Sequence, residues 1–451
     1  MEMRTNNGAT IGSMIETDEL ICHECVADPF LKARVKQKGR VAACGQCSKR
    51  RKAVTYDDLK WWIDDVFRAH FEPGYGSDAY TVFAEVAGIS EALATEFVDD
   101  LSSGYGYLAG TGKADDPYDG EEFVESGPDR DDTDDRWHGF QKTLRQEARF
   151  FNQSAEQWLD HIFTGLHHQR TWRGEGVILH VGVGEIGSSL YRARVAGTEI
   201  QLGQILANPM AELAPPPNGM ASAGRMNAAG VSVFYGAVDA ETCISEIRPP
   251  VGSSVVAGRF DLVRPVRLLD FDLLSHIEAR TSHFDPDYER KRDRVHFLRA
   301  FGRQIARPIL PGDEAFGYLP TQVVADYLAQ RLSPPIDGML YRSTQTGSKG
   351  RNIVLFNRAS RVEPLEPHVK LEAHMGLMEY EDRDDSISLT LKPRVATDPE
   401  PRREWFDERA MSLRLDLKSI EVTRIKATRY EADQRSFHIY DRREPLPDLG
   451  F

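Results

Sequence analysis

The sequence predicts an α+β protein, with a mainly helical N-terminal part followed by a mixed α/β domain. Apolar residues recur at helical spacing over much of residues 55–175. From residue 176 onwards, short β-branched runs stand between turn signals. Two helical segments, at about 290–305 and 321–332, are too few for regular strand–helix alternation. We therefore expect a mixed α+β domain and not a doubly wound sheet.

Composition narrows the class of protein. The 451 residues are enough for two or three domains. The sequence contains no run of about 18 apolar residues, so a membrane span is not expected. The polar N-terminus lacks the apolar core of a secretory signal. Five cysteines, four of them in close pairs, favour a reducing compartment and a metal, so the expected location is the cytoplasm. The net charge of −14 argues against general nucleic-acid binding by the whole chain.

The helical part divides into three predicted helices. The first covers residues 55–71, with Thr55 as its cap and an apolar face that includes Trp62 and Phe67. The second covers 90–101, and a third helical region runs from 137 to 163 with a break near 152–154. Phe151 is expected in its core. Residues 111–136 form a dense acidic block, interpreted as a solvated insertion.

Short strands are expected through the second half of the chain. They are predicted at 177–181, 231–238, 255–262, 266–271, 339–341 and 353–356, and in the charged tail at 386–391 and 436–441. The expected segments are 1–54 (zinc-binding), 55–175 (helical, with the acidic insertion 111–136), 176–360 (mixed α/β) and 361–451 (a small charged C-terminal β extension).

Two Cys-x-x-Cys pairs predict a structural zinc site. Eighteen residues separate the pairs, and four thiolates would close a tetrahedron with no position left for water. Gly45 helps the second turn to bend, and His23 is interpreted as a neighbour of the site. The alternative is four buried or loosely paired thiols. The predicted ligands are Cys22, Cys25, Cys44 and Cys47, whereas Cys243 is interpreted as a packing residue.

Basic residues surround these cysteines. Lysines and arginines release counterions from a phosphate backbone, so the segment invites a nucleic-acid hypothesis. It has few aromatic residues for base stacking, however, and the rest of the chain is acidic. The favoured interpretation is a solvated face, or a patch that contacts the acidic insertion. The basic residues are Lys32, Arg34, Lys36, Lys38, Arg40, Lys49, Arg50, Arg51 and Lys52.

Residues 224–246 predict a nucleotide site. Arg225 precedes a turn at Gly230, a short strand that ends near Tyr235, and a helix capped by Asp239. At helical spacing, Glu246 falls on the border of the buried stripe, where a carboxylate can face a cleft. The alternative is a glutamate directed into solvent at the helix end, although a negative charge is unfavourable there.

These residues also resemble a known family. The sequence Gly-Arg-Met-Asn, the strand ending in Tyr235 and the sequence Glu-Thr-Cys-Ile-Ser-Glu246 are similar to the core of the RES-domain family, named for its arginine, glutamate and serine. Segments 190–194, 337–343 and 352–356 resemble the opening and closing parts of that domain, so the resemblance covers about 176–360. The N-terminal part is similar to the HEPN-type domain, although residues 1–175 contain no Arg-x4–6-His motif.

The resemblance implies an ADP-ribosyltransferase-like fold and consumption of NAD+, typically by bacterial toxins. Glu246 would then stabilise an oxocarbenium-like ribose, and Arg192 and Arg225 would bind the pyrophosphate. Which of Arg192, Arg194 and Arg225 leads is left open. The implied catalytic residues are Arg192, Tyr235, Glu246 and Ser343, and the implied substrate-binding residues are Arg225, Asn227 and Asn352.

Three functions remain open from the sequence. The first is cleavage of the nicotinamide–ribose bond of NAD+ by hydrolysis or phosphorolysis, in a toxin or defence effector restrained by its N-terminal part or by an antitoxin. The second is ADP-ribosylation of a macromolecule at the same site. The third is zinc-dependent binding of nucleic acid or a partner without catalysis. The acceptor, the activating signal and any homo-oligomer are not specified by the sequence.

Overall fold

The computed structural model describes residues 19–108, 117–118, 122–126, 130–147, 151–278, 281–306, 317–365, 369–376, 386–393, 407–429 and 434–436. The chain forms two compact units. The first unit comprises residues 1–177 and 272–307, and the second unit comprises 178–271 and 308–451. Among the described residues, no helix combines the length and apolarity that a membrane span requires.

Each predicted helix has a counterpart among the described helices. They are α1 (Pro29–Lys38), α2 (Tyr56–His70), α3 (Ala79–Ala87), α4 (Glu91–Leu108), α5 (Arg130–Gln146), α6 (Gln153–Phe163), α7 (Glu199–Ala207), α8 (Pro209–Leu213), α9 (Ala240–Glu246), α10 (Phe271–Leu274), α11 (Tyr288–Ala306) and α12 (Leu319–Gln330). Helices α1, α3, α7, α8 and α10 are additional to the predicted ones. Helix α5 begins seven residues before the expected start, so 130–136 are helical and not part of a loop.

The described strands are short. They are β1 (Leu20–Cys22), β2 (Arg40–Ala43), β3 (Arg50–Thr55), β4 (Phe71–Ser77), β5 (Phe123–Glu125), β6 (Ile178–Val181), β7 (Ser189–Ala196), β8 (Phe234–Ala237), β9 (Ser254–Leu262), β10 (Val266–Asp270), β11 (Gly338–Arg342), β12 (Arg351–Leu355), β13 (Val369–Gly376), β14 (Ser386–Pro393) and β15 (Leu413–Arg424). Each strand expected between residues 177 and 391 has a counterpart here.

The first unit begins with a three-stranded sheet of order β1-β3-β2, to which α1 and α2 are joined. The Asp28 carboxylate accepts from the Leu31 amide at 2.8 Å and caps α1. Thr55 caps α2, as predicted, through a hydrogen bond from Asp58 N at 3.1 Å. Trp62 and Phe67 are buried with the apolar faces of α3 and α4, so the expected apolar face of α2 is confirmed.

Helices α5, α6 and α11 share an aromatic cluster within the first unit. Trp137 and Trp158 contact Phe297, whose ring centroid lies 6.4 and 4.8 Å from theirs. Helix α11 therefore packs on helices from the N-terminal part of the chain. Phe151, expected in this core, is instead fully exposed at a positive φ of 58°, because it lies in the break between α5 and α6.

The second unit is built on an eight-stranded sheet of order β15-β9-β7-β8-β12-β11-β10-β6. Its neighbouring strands are antiparallel except for the parallel pair β10–β11, so the sheet is mixed and the predicted mixed α/β architecture is confirmed. Strands β7 and β8 share one register pair, Tyr191 opposite Ala237. The sheet is therefore weakly joined at its centre. Ala193, Ala237 and Cys243 form an apolar cluster between this part of the sheet and α9.

The charged tail contributes more to this sheet than the sequence predicts. Strand β15 pairs with β9 at the sheet edge, with a register shift between Asp416 and Glu421. That shift breaks the alternation of apolar and polar residues, which is why the sequence gives no clear strand signal there. The expected strand at 386–391 is confirmed as part of β14, which pairs with β13. Most of the strand expected at 436–441 lies outside the described residues.

Candidate functional site

Helix α9 presents Glu246 at its C-terminal end. The Asp239 carboxylate caps the helix by accepting from Thr242 N at 2.7 Å, and the Thr242 hydroxyl donates to it at 2.8 Å. The loop between β11 and β12 lies so close to this first turn that a Cβ at Gly350 would overlap the Thr242 side chain. The glycine therefore lets this loop lie against the helix that carries Glu246.

Two buried side chains hold the Glu246 carboxylate. The Ser343 hydroxyl donates to Glu246 Oε1 at 2.5 Å, and Asn352 Nδ2 donates to the same oxygen at 2.8 Å. Ser343 is 0 % exposed and Asn352 is 4 % exposed. Glu246 itself is half-buried. The carboxylate is therefore fixed by two donors from a different part of the chain, and it is not simply directed into solvent.

A tight hairpin at 224–227 carries Arg225. The Tyr235 hydroxyl accepts from Met226 N at 2.9 Å and donates to Asn227 Oδ1 at 2.8 Å. Asn227 Nδ2 donates to the carbonyls of Ser222, Ala228 and Val231. A Cβ at Gly224 would lie only 2.7 Å from the Tyr235 hydroxyl oxygen, so this position requires glycine. Tyr235 and Asn227 thus use their polar atoms to shape the hairpin.

Helix α12 supports the same hairpin from its first turn. The Thr321 hydroxyl donates to the Arg225 carbonyl at 2.6 Å. Gln322 Nε2 donates at 2.8 Å to the carbonyls of both Gly224 and Asn227. Both side chains are buried. Sequence reasoning missed them, since a threonine and a glutamine at a helix start give no signal of contact with residues about a hundred positions away.

Electrostatic interactions place Glu246 and Arg225 in one neighbourhood. Burial raises the pKa of Tyr341 to about 12, with the Glu246 charge raising it further and Arg225 opposing the shift. Burial is also the main cause that raises the pKa of Tyr235. Tyr341 raises this pKa further, and the Arg225 charge opposes the shift. Tyr341 therefore lies under the influence of both charged groups. With Thr321 and Gln322, it is a third residue that the sequence analysis did not assign to the site.

Arg192 on β7 is a cation without a close anionic partner among the described residues. Its Nη1 atom is buried without a hydrogen-bond partner there, and its guanidinium lies 5.8 Å from the Phe234 ring centroid. Burial lowers the pKa of Arg192 to about 10, so the side chain remains charged near neutral pH. Burial raises the pKa of Cys243 to about 12, while Arg192 lowers it and Glu246 raises it. Cys243 thus packs near both charged groups.

The four predicted zinc ligands converge in the first unit. Their sulfur atoms all lie within 4.8 Å of one another. Individual Sγ–Sγ distances are 3.8 Å for Cys22–Cys25, 3.6 Å for Cys22–Cys47 and 3.8 Å for Cys25–Cys44. Zinc–sulfur bonds of about 2.3 Å in a tetrahedron give sulfur separations of about 3.8 Å. The cluster therefore has the right size to hold a metal, and the sulfurs are too far apart for disulfides.

Local backbone contacts support this cluster. Cys22 N donates to Cys44 Sγ at 3.3 Å. The backbone of Lys49 is the main cause that lowers the pKa of Cys47 to about 7, whereas burial raises the pKa of Cys22 and of Cys25. The Nδ1 atom of His23 lies 3.1 Å from the Lys52 carbonyl. The four sulfurs provide a complete tetrahedral donor set without this imidazole.

Comparison with known families concerns the segment that contains Glu246. The family model for the RES domain matches residues 189–374, a segment that contains the seven predicted catalytic and substrate-binding residues. The match supports the RES family for this part of the chain. RES domains are generally associated with NAD+-related toxin activity, which suggests an NAD+-related enzymatic role with NAD+ as the substrate. No curated protein matches the chain.

Proposed function

We propose that this protein cleaves the nicotinamide–ribose bond of NAD+ and transfers the ADP-ribosyl group to water or phosphate. The observation that carries this proposal is that Ser343 and Asn352 hold the Glu246 carboxylate by hydrogen bonds, within the segment that matches the RES domain. An NAD+-cleaving site needs an anion beside the ribose and cations beside the phosphates. Glu246 and the arginines provide these groups.

Glu246 would act on the transition state. Departure of nicotinamide leaves positive charge on the ribose carbon and ring oxygen, and a preorganised carboxylate stabilises that charge electrostatically. Because Ser343 and Asn352 already hold Oε1, the carboxylate needs little reorganisation when the charge develops. Its other oxygen would remain available to the sugar.

The remaining residues would divide between binding and positioning. Arg192 and Arg225 can each bind a phosphate group with two parallel hydrogen bonds. The Tyr235 hydroxyl and the Asn227 amide bond within the hairpin, so we assign them the role of presenting Arg225. The ring face of Tyr235 is a candidate contact for nicotinamide or ribose. In the first unit, Cys22, Cys25, Cys44 and Cys47 would hold a structural zinc ion.

Such an activity would deplete NAD+ in its own cell, so restraint is expected. The proposed protein is a cytoplasmic toxin or defence effector, restrained by its HEPN-like N-terminal part or by an antitoxin. The proposed RES domain, residues 176–360, would adopt an ADP-ribosyltransferase-like fold. ADP-ribosylation of a macromolecule is the alternative at the same site. Labelled NAD+ would then mark a protein or nucleic acid.

Nicotinamide release from NAD+ by the purified full-length chain is the direct test. We expect Glu246→Gln to reduce kcat by about 10²- to 10³-fold, because it removes the charge that stabilises the transition state. Glu241→Gln is a matched control, since Glu241 is exposed on the same helix. Intact NAD+ with the wild type, together with undiminished growth inhibition by Glu246→Gln in cells, would reject the proposal.

A further inference from the structure

A strongly basic surface lies beside the cysteine cluster in the first unit. Between Pro29 and Thr55 the sequence contains no aspartate or glutamate, so the acidic excess of the chain lies entirely outside this stretch. We define the basic surface by the cations of this stretch, which are Lys32, Arg34, Lys36, Lys38, Arg40, Lys49, Arg50, Arg51 and Lys52. They lie on α1, on the hairpin β2–β3 and on the turn between these strands.

The fold spaces these cations regularly. On α1, Lys32 and Lys36 are four residues apart, so they share a face at a rise of about 6 Å. On β3, Arg50 and Lys52 are two residues apart, which places them on one face at about 6.7 Å. Strand β3 of the hairpin pairs with β1, and the turn of the hairpin carries Cys44 and Cys47 of the cysteine cluster. The backbone that carries these cations is therefore held in place by the sheet and the cluster.

Most of these charges have no anionic partner in the described structure. Lys32 pairs with Glu24 at 3.1 Å. Arg34 and Lys38 instead lie over the Trp62 ring, at 4.1 and 5.6 Å from its centroid. No ion pair within the described residues involves the exposed cations Lys36, Arg40, Lys49 and Arg50. Uncompensated charge of one sign therefore accumulates on this surface.

The described part of the acidic insertion makes other contacts. Glu125 lies 3.6 Å from His283, and the Tyr288 hydroxyl donates to the same carboxylate. Arg136, at the other end of the insertion, pairs with Asp293 at 3.6 Å. These contacts direct the described insertion residues towards α11 and its preceding turn. Within the described residues, Glu125 therefore contacts α11 and its preceding turn and not the basic surface.

The chemistry of the surface favours a polyphosphate over an acidic protein. Hot spots of protein interfaces are enriched in tryptophan, tyrosine and arginine side chains that fill well-packed pockets. Residues 29–55 contain no tryptophan or tyrosine, and their large exposed apolar side chains are Val41 at 59 % and Phe30 at 39 %. Binding to a nucleic-acid backbone requires only cations, because it is driven by counterion release. We propose that the basic surface binds the phosphate backbone of nucleic acid without sequence preference.

Fluorescence anisotropy with the full-length, metal-loaded protein tests this proposal. The probes are a 20-nucleotide single-stranded RNA, the matching single-stranded DNA and the DNA duplex, at 50 to 200 mM salt. The triple variant Arg40→Gln/Lys49→Gln/Arg50→Gln should lower the slope of log K against log salt by about 2 on single strands, since each phosphate contact contributes about 0.7. Affinity at 50 mM salt should fall at least tenfold.

A control variant separates local charge from net charge. Lys418→Gln/Arg424→Gln/Lys426→Gln removes three exposed cations from the second unit, so its net charge equals that of the test variant. We expect it to bind all probes like the wild type. Unchanged circular dichroism and metal content would confirm that the test variant is folded. The three probes show which nucleic acid is preferred, and binding to any of them supports the proposal.

Three outcomes would overturn the inference. They are the absence of salt-sensitive binding by the wild type, equal losses in the test and control variants, and binding to poly-glutamate without binding to any nucleic acid. The last outcome would identify an acidic protein as the partner. Because the readout is binding and not nicotinamide release, the result does not depend on the proposed NAD+ chemistry.

Discussion

The cysteine cluster and the candidate RES-domain site around Glu246 are assembled in different ways. All four sulfurs come from the stretch between Cys22 and Cys47, and two short turns bring them together. The RES-domain site instead combines side chains from Arg192 to Asn352, carried by strands, helices and loops of the second unit. The first site depends on local chain geometry. The second exists only when a long-range sheet has formed.

The largest effect is expected from breaking the local site. Structural zinc in small domains contributes on the order of 10 kcal/mol of apparent binding free energy, comparable with the whole stability of a domain. We therefore expect Cys44→Ser to lose the metal and to unfold β1–β3 and α1. Inductively coupled plasma mass spectrometry and thermal unfolding would measure both effects.

The fifth cysteine provides the matched control for that experiment. Cys243 is buried in the second unit and lies outside the cluster, so Cys243→Ala should keep the full metal content. Its cost should be limited to about 1 kcal/mol or slightly more of packing. A Cys44→Ser protein with unchanged metal content and unfolding temperature would contradict a structural metal at these four cysteines.

The next effect concerns the carboxylate in the RES-domain site. Ser343→Ala removes one of the two donors to Glu246 Oε1, and a hydrogen bond to a charged group contributes about 1.5–3 kcal/mol. We expect kcat for nicotinamide release to fall about 10- to 100-fold, with a much smaller change in KM. Thr344→Ala, an exposed hydroxyl in the same loop, should leave kcat unchanged. Equal kinetics for the two variants would show that the Ser343 contact is not used.

The difference between the sites explains what the sequence could predict. Cysteine spacing identifies all four members of the cluster, because the ligands are close in the chain. Helix α9, its Asp239 cap and the border position of Glu246 also follow from local periodicity. The hydrogen bonds from Ser343 and Asn352 do not, because they require the register of β11 and β12 next to β8.

The same physical reason explains why the sequence alone does not group α11 with the N-terminal helices. An Arg-x4–6-His spacing is absent from residues 1–175, yet Arg290 and His296 have it on α11, a helix of the first unit. Contacts across the chain put α11 with the N-terminal helices, and periodicity alone does not reveal that grouping. Arg290 there pairs with Asp287 at 2.8 Å, and burial lowers the pKa of His296. The HEPN-type relationship stays a prediction.

A moderate effect on KM is expected from removing the Gln322 side chain, which supports the hairpin at 224–227. Gln322→Ala leaves two carbonyls, of Gly224 and Asn227, without their donor, at a cost of about 1–3 kcal/mol. If the hairpin presents Arg225 to the phosphates, KM for NAD+ should rise several-fold while kcat changes little. Calorimetric titration with ADP-ribose should show the same loss. Gln330→Ala, exposed at the end of the same helix, is the control. Loss of thermal stability with normal affinity would leave Gln322 with a structural role alone.

The smallest effect is an acid dependence confined to the first unit. The pKa of Glu125 is lowered from its usual value of 4.5 to about 2. The main cause is the nearby His283, and the Tyr288 hydroxyl adds to it. A carboxyl group with a lowered folded-state pKa stabilises the protein above its unfolded pKa, and this contribution is lost as the pH falls from about 4.5 towards 2. Glu125 is 46 % exposed, so solvent limits the effect to about 1 kcal/mol or less.

Urea unfolding of Glu125→Gln at several pH values would measure this contribution. The variant should be less stable than the wild type at pH 6, and the difference should shrink towards pH 2, because the protonated wild-type carboxyl group no longer pairs with His283. Glu85→Gln, an exposed residue on α3, should follow the wild-type curve. A constant difference between Glu125→Gln and the wild type at every pH would mean that lost packing, and not the ion pair, accounts for the change. The contact between Glu125 and the turn before α11 would then depend on packing alone, and the negative charge of Glu125 would not contribute to it.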